Sequence, residues 1–375
     1  VKILVASVTR NGPEVLGPHF KSLHSQVLPK EVELDFFYLL DPDTPIESGQ
    51  LLEELGVAWG KCEAKESGEE YEVSESTHHW NKPTFYWLAK QKQKLLDKAK
   101  EEKYDYVFFV DSDLVLGPDC IASLFHVQEK VVSAVFWTKW TKGAPALPQV
   151  WMEHPYEFQG RGLEAHEHLQ KAAERQVWKV GGLGACTLIA KEVFDKLAWY
   201  PILPNLPEEG MWQGEDRSFC IRATRNHVPL IADAWPDIFH IYRPSDLPNA
   251  EECLQTMKVI QKEKPEFGDL VSAQLSPTEE MNLAGWSYHL RGRLGQMRIL
   301  PDIELALLSM KVGDDKFVRV RFPVWWKVPE YAGKTMQVRV KLLGAKVNTY
   351  APGLEEESVS PIHLFDEYYE EEEDG

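Results

Sequence analysis

The sequence predicts an α/β protein in which a mostly parallel sheet flanked by helices precedes a small α+β domain and an acidic tail. Three observations carry this reading. Strand and helix patterns alternate from Val1 to about Lys262, period-2 alternation takes over between Lys316 and Val347, and charge is spread unevenly along the 375 residues. The formal net charge is −18. Ten acidic residues and no Lys or Arg lie between Glu355 and Gly375, whereas Gly268–Val347 carries a net +4. A run of like charges repels itself and stays solvated, so the tail is expected to be disordered. The predicted boundaries are 1–264, 265–348 and 349–375, with the joint at EKPEFGD, where Pro265 and Gly268 interrupt a helical run.

The elements follow in order. VKILVASV, from Val1 to Val8, reads as a strand ending in the polar turn TRNGP. Apolar positions recur at helical spacing from Val15 to Gln26. LDFFYLL (Leu34–Leu40) is a second strand running into the loop DPDTP. Between Lys82 and Lys103 a long helix places Phe85, Leu88, Ala89, Leu95, Leu96 and Ala99 on its buried side. YVFFV (Tyr106–Val110) is a continuous apolar run, as expected of a strand covered on both faces, and VVSAVFW (Val131–Trp137) is another. In such sheets ligands sit beyond the carboxyl ends of the strands, so function is expected just after Val8, Leu40 and Val110.

Composition excludes several classes. A net −18 argues against a general nucleic-acid binder, which needs a basic footprint. No apolar run approaches the ~18 residues of a membrane span. Five cysteines, odd in number and far apart, fit neither a disulfide framework nor a paired-thiol zinc site. The opening VKILVAS shows no charged-then-apolar leader, so a cytoplasmic home is expected.

The chemistry-bearing segments fall where the sheet predicts them. Asp111-Ser112-Asp113 follows YVFFV directly. Two carboxylates there suit a hard divalent cation bridging a diphosphate, or else form a solvated turn. VGGLGA (Val180–Ala185) lets backbone approach a bulky group, or simply turns. Gly214-Glu215-Asp216 opens a helical stretch, where an acidic pair is either a cap favoured by the helix dipole or a general base facing an acceptor hydroxyl. His240, after an apolar strand, is a core histidine or a third metal ligand.

Taken together, SVTRNG, FFVDSD, VGGLGA, GEDRSF and His240, in this order, resemble a glycosyltransferase of the GT-A (Rossmann-like) fold, family 2-like, from Val1 to about Lys262. The resemblance implies a UDP- or GDP-sugar donor, a hydroxyl acceptor, and Mn²⁺ or Mg²⁺ held by Asp113 and His240. Asp111 would hold the donor ribose or join the metal. Asp216 would be the base, with Glu215 on the acceptor. Thr9, Arg10 and Asp41 would lie near the nucleotide, and Lys82 would face its phosphates. A single base on the far side of the sugar implies inversion. MWQGED is a looser version of the Trp-Gly-Gly-Glu-Asp context of the galactosyltransferase type, so acceptor details do not carry over.

The region from Ile299 to Val347 resembles the FKBP-like prolyl isomerase domain of the trigger-factor type. It has a helix over Asp302–Met310, a strand in which Phe317, Val318, Val320 and Phe322 alternate with basic residues, and a strand carrying Met336, Val338, Val340 and Leu342. Ile303 stands where an aromatic often floors the isomerase cleft, so the resemblance implies a polypeptide-binding module more than an isomerase. Trp286, Tyr288, Trp325, Trp326 and Tyr331 are surface-lining or core residues of it. Two other function classes compete. One is a folding-factor scaffold with a degenerate transferase domain, disfavoured by the intact DSD, GED and His240. The other is a sugar nucleotidyltransferase, weakened because TRNGP lacks a longer Gly-rich basic loop for a triphosphate.

Overall fold

The computed structural model describes residues 1–65, 72–73, 78–79, 82–140, 146–151, 168–172, 175–203, 214–257, 270–277, 288–293, 301–321 and 335–346. The chain divides into two compact units, the larger drawn mainly from residues 1–258 and the smaller mainly from 259–350. The acidic tail, Trp286, Trp325, Trp326, Tyr331 and the side chain of Tyr288 lie outside the described residues.

The larger unit begins β1 (Lys2–Thr9), α1 (Pro13–His24), β2 (Glu33–Leu40), α2 (Ile46–Glu54), β3 (Ala58–Lys61), α3 (Lys82–Glu101), β4 (Tyr106–Val110). It continues β5 (Leu114–Leu116), α4 (Cys120–His126), β6 (Val131–Ala134), β7 (Val177–Val180), β8 (Cys186–Ala190), α5 (Glu215–Arg225), β9 (Leu230–Asp233), β10 (Ile238–His240) and α6 (Leu247–Thr256). An eight-stranded sheet runs β7-β9-β6-β8-β4-β1-β2-β3. β1 is parallel to β2 on one side and to β4 on the other, so the strand order reverses at β1. That reversal opens a crevice beyond the carboxyl ends of β1 and β4, the place where open α/β sheets bind ligands. β8 runs antiparallel between β4 and β6.

The sheet is fixed by what its strands bury. Val107, Phe108, Phe109 and Val110 of β4 are all buried, as the continuous apolar run requires. On one face Leu4, Ala6, Val107 and Phe109 meet Ala89, Leu95, Leu96 and Ala99 of α3 in a single core. VVSAVFW is not one strand: β6 stops at Ala134, and Trp137–Thr138 pairs instead with Leu147–Pro148. α2 and β3 follow the loop DPDTP and extend the parallel sheet past β2. The glycines of VGGLGA serve close approach. A Cβ on Gly182 would lie 2.5 Å from the Trp151 ring, and one on Gly184 would lie 2.7 Å from the Gln149 carbonyl oxygen.

In the smaller unit β11 (Leu270–Pro277), β12 (Tyr288–Arg293), α7 (Pro301–Leu308), β13 (Asp315–Arg321) and β14 (Thr335–Lys346) form an antiparallel sheet of order β12-β11-β14-β13 with one helix. Ile303, Leu307 and Met310 cover Val271, Ala273, Val320, Val340 and Leu342. The phase of β13 differs from expectation in one respect. Val318 and Val320 face this core, which leaves Phe317 on the opposite face, 64% exposed. Side chains alternate along a strand, so Phe317, next to the inward Val318, must point out.

His19 of α1 links helix to sheet. It is fully buried, with Nδ1 2.6 Å from the Leu114 carbonyl oxygen and Nε2 2.6 Å from the Tyr38 hydroxyl. A carbonyl only accepts, so Nδ1–H donates to it and Nε2 accepts from Tyr38, which is the neutral tautomer. Burial lowers the His19 pKa from 6.5 to about 4, against the smaller raising effects of the Leu114 bond and Asp113. Between those values the unfolded chain binds more protons than the folded one, so stability falls as pH drops through 6.5 toward 4. At pH 5 the loss from this group is about 2 kcal/mol. Urea unfolding at pH 7 and pH 5 should show that drop in the wild type and a smaller one in His19→Gln. Equal drops in both would mean that His19 is not the titrating group.

Candidate active site

The turn after β4 is stitched to the end of β1. Ser112 Oγ donates to Thr9 Oγ1 at 2.6 Å and accepts from Asn11 Nδ2 at 2.8 Å, while the Asn11 N–H bonds Thr9 Oγ1 at 3.1 Å. Asp111 donates its N–H to the Ala185 carbonyl oxygen at 2.9 Å. Thr9 is buried and also receives the Asp41 N–H and the Thr44 hydroxyl on its carbonyl, at 2.8 and 2.9 Å. The crevice walls at β1, β2 and β4 are therefore one hydrogen-bonded frame.

β10 pairs antiparallel with β5, His240 opposite Leu114, and this ribbon brings two distant chain segments together. His240 Nε2 lies 3.4 Å from Asp113 Oδ2, and Nδ1 lies 2.9 Å from the Thr138 hydroxyl. The rings of Phe136 and Tyr242, each 5.2 Å away centroid to centroid, hold the imidazole in place. The Ile241 N–H bonds the Asp113 carbonyl oxygen at 2.9 Å. Asp113 and His240 thus meet, although among the described residues no group of three or more His, Cys, Asp or Glu is arranged to hold a metal ion.

The second acidic pair opens α5. Glu215 and Asp216 occupy its first turn behind Gly214, where the helix dipole favours negative charge. Both are bound by a residue that motif reading missed. Lys92 of α3 places Nζ 2.7 Å from Glu215 Oε1 and 2.8 Å from Asp216 Oδ1. The Lys92 and Glu215 side chains are each 6% exposed, and that of Asp216 is 23% exposed, so Asp216 is the more open carboxylate. The Lys92 ammonium also lies 5.0 Å from the centre of the Trp199 ring. A signal for Lys92 existed in the sequence. It falls on the buried stripe of α3 between Leu88–Ala89 and Leu95–Leu96, where a cation needs partners.

Electrostatics ties the two pairs together. Burial raises the Asp111 pKa well above the ordinary carboxylate range; Lys92 opposes this, while Asp113, Asp216 and Glu215 add to it. Burial and Asp216 push Glu215 up to about 7, with Lys92 pulling the other way. Burial disfavours the charge on Lys92, but Asp216, Glu215 and Asp111 outweigh it and hold its pKa above the usual lysine value. Lys92 thus offsets only part of what burial and the acidic neighbours do to Asp111 and Glu215.

At the end of β2, Asp41 is buried and its Oδ2 lies 2.9 Å from Lys65 Nζ, which also lies 3.4 Å from Asp43 Oδ2. Lys65 was not anticipated either; it sits 5.0 Å from the Trp87 ring centre, and Trp87 Nε1 donates to the Glu63 carbonyl oxygen at 2.9 Å. Arg10 follows β1, half-buried. Lys82 is the first residue of α3, and its side chain lies outside the described residues.

Residues 2–143 match the family model described as the glycosyltransferase family 25 N-terminal domain. A glycosyltransferase 25 family member of Aedes aegypti is 28% identical over 145 residues, which is 35% of this chain and 23% of that protein. A trigger factor of Stenotrophomonas maltophilia (strain R551-3) is 29% identical over 165 residues, 41% of this chain and 38% of its own. Another, from strain K279a, is 45% identical over 49 residues, 13% of this chain and 11% of that protein. The chain thus spans less than two fifths of the length of these relatives. Among solved structures, S. aureus TarS 1–349 gives a TM-score of 0.40 at 15% identity, covering 68% of this chain and 65% of that one. The same protein in complex with UDP-GlcNAc gives 0.37 at 17% identity, covering 62% and 56%.

Ser112→Ala removes the bond to Thr9 and strands the Asn11 amide. Urea denaturation should show a loss of about 1–3 kcal/mol, the scale for leaving buried polar groups unpaired. A loss within experimental error would show that the link between β1 and the acidic turn is marginal.

Proposed function

We propose that the larger unit is a metal-dependent glycosyltransferase, which moves a sugar from a nucleoside diphosphate to an acceptor hydroxyl with inversion. The observation that carries this reading is the convergence, beyond the strand ends at the sheet's switch point, of two differently equipped acidic pairs. One is Asp113 with His240 and neighbouring Asp111; the other is Glu215 and Asp216 held by Lys92. The family-model match supports it, since residues 2–143 span β1 through β6 and include the Asp111–Asp113 turn.

The donor is a UDP- or GDP-sugar, its nucleotide beside Thr9, Arg10 and Asp41 and its phosphates toward Lys82. Asp113 and His240 are the side chains that would hold Mg²⁺ or Mn²⁺, joined by Asp111 or by donor phosphate oxygens. Carboxylate oxygen and imidazole suit such an ion, and its charge would oppose the burial and acidic neighbours that raise the Asp111 pKa. The ion, when bound, supplies Lewis-acid stabilisation of the charge that builds on the departing diphosphate. Asp216, the more open carboxylate, accepts the proton of the attacking hydroxyl, and Glu215 shares the acceptor side. One base and one displacement give inversion at the anomeric carbon. The smaller unit, by its resemblance to the trigger-factor type of FKBP-like domain, serves as a polypeptide-binding module. Five buried cysteine thiols accord with a reducing, cytoplasmic place.

Titration calorimetry with UDP and GDP should show tighter binding with Mn²⁺ or Mg²⁺ than with EDTA, and Asp113→Ala should abolish that difference. Identical affinity with and without metal in the wild type would remove the metal from the mechanism. Asp216→Asn should bind nucleotide nearly as well as the wild type while transfer falls by ~10²-fold or more, the scale for losing a general base. Near-normal transfer in that variant would remove Asp216 as the base.

A further inference from the structure

Lys92 occupies a position that packing alone would give to leucine or methionine. Its neighbours on the buried stripe of α3 are Ala89, Leu95 and Leu96, all fully buried. An apolar side chain there would complete the stripe without desolvating an ammonium, and replacing a whole buried ion pair by apolar side chains is often neutral or stabilising, so the stripe itself does not require a lysine. The ammonium must therefore be explained by what it touches.

It touches three things, and each is itself held. Glu215 Oε1 and Asp216 Oδ1 accept from it at 2.7 and 2.8 Å, two charge-assisted bonds. The face of Trp199 closes the remaining side at 5.0 Å. Trp199 stacks on Phe219, one turn along α5, at 4.4 Å and 11°, and packs against Phe109 at 4.8 Å, two residues before Asp111. The next residue of α3, Gln93, accepts the Trp199 and Tyr200 N–H groups on Oε1 at 2.7 and 3.1 Å. Helix α3, the first turn of α5 and the strand leading into the acidic turn are clamped around one nitrogen.

We propose that Lys92 is a positioning residue of the transfer site, fixing Asp216 through Oδ1 so that its other oxygen is presented to the acceptor hydroxyl, with Glu215 as counter-anchor. The inference rests on the transferase reading, in which Asp216 is the base. The two carboxylates divide the work by exposure. Glu215, closed off, serves to anchor Lys92, and Asp216, more open, is the carboxylate an acceptor can reach. A carboxylate on a helix end turns freely about its side-chain bonds unless something selects one rotamer, and misplacement by about 1 Å can lower a rate 10²-fold.

The test uses the full chain with Mn²⁺ and a panel of UDP-glucose, UDP-galactose, UDP-N-acetylglucosamine and GDP-mannose, scoring release of nucleoside diphosphate. Lys92→Met should lower kcat by about 10²-fold while leaving the calorimetric affinity for UDP or GDP within about two-fold. In an Asp216→Asn background the same change should cost nothing further, because the group through which Lys92 acts is already gone. If Lys92→Met does not fold, Lys92→Met with Glu215→Gln, which removes one charge of each sign, is compared with Glu215→Gln alone on the same readouts. Unchanged kcat, or an equal loss in the presence and absence of Asp216→Asn, overturns the positioning role and leaves the transferase reading standing. A wild type that turns over none of the four donors overturns both.

Discussion

Carboxylates brought to the ends of buried strands must be matched by positive charge or by a helix terminus, and this constraint shapes the larger unit. Asp111, Asp113, Glu215 and Asp216 act on one another electrostatically. Lys92 serves three of them and the ribbon of β5 and β10 serves the fourth. The start of α5 carries Glu215 and Asp216, Lys92 binds both, and β10 delivers His240 to Asp113. Burying such groups unpaired would cost several kcal/mol per ion. Even so, burial and the acidic neighbours keep the Asp111 and Glu215 carboxyls toward their neutral forms.

The same constraint explains how the frame is built. The acidic turn is not left to its own conformational preferences: Ser112 ties it to Thr9 and Asn11, and Thr9 in turn receives the start of the β2 loop. From the other side His19 holds the carbonyl of Leu114, the residue after Asp113, and is itself held by Tyr38. These hydrogen bonds fix the backbone from which the acidic side chains project. A site supported in this way needs less rearrangement when substrate arrives.

Much of this was legible in the sequence, and the failures have physical reasons. Continuous apolar runs such as YVFFV identify doubly covered strands, and the strand-end rule then points to Asp111 and Asp113. His240 was open as a core histidine or a third metal ligand, and no local pattern decides between them because the pairing of β5 with β10 is what brings it to Asp113. Lys92 escaped because periodicity treats lysine as a surface residue, and the apolar stripe around it reads equally well with a gap. Lys65 escaped for the same reason, being recognisable only once Asp41 and Trp87 are seen beside it. Phe317 shows the converse: in β13 apolar character at one position was outweighed by the phase that Val318 and Val320 impose.

The central claim is that the crevice beyond β1 and β4 is where a nucleotide diphosphate and a divalent cation meet these acidic pairs. A crystal structure of the chain grown with UDP and Mn²⁺ tests it most directly. The diphosphate should lie in that crevice, with the ion bound by Asp113 and His240 and the nucleoside beside Thr9 and Asp41. Nucleotide bound elsewhere on the chain, or an ion held by other residues, would contradict it.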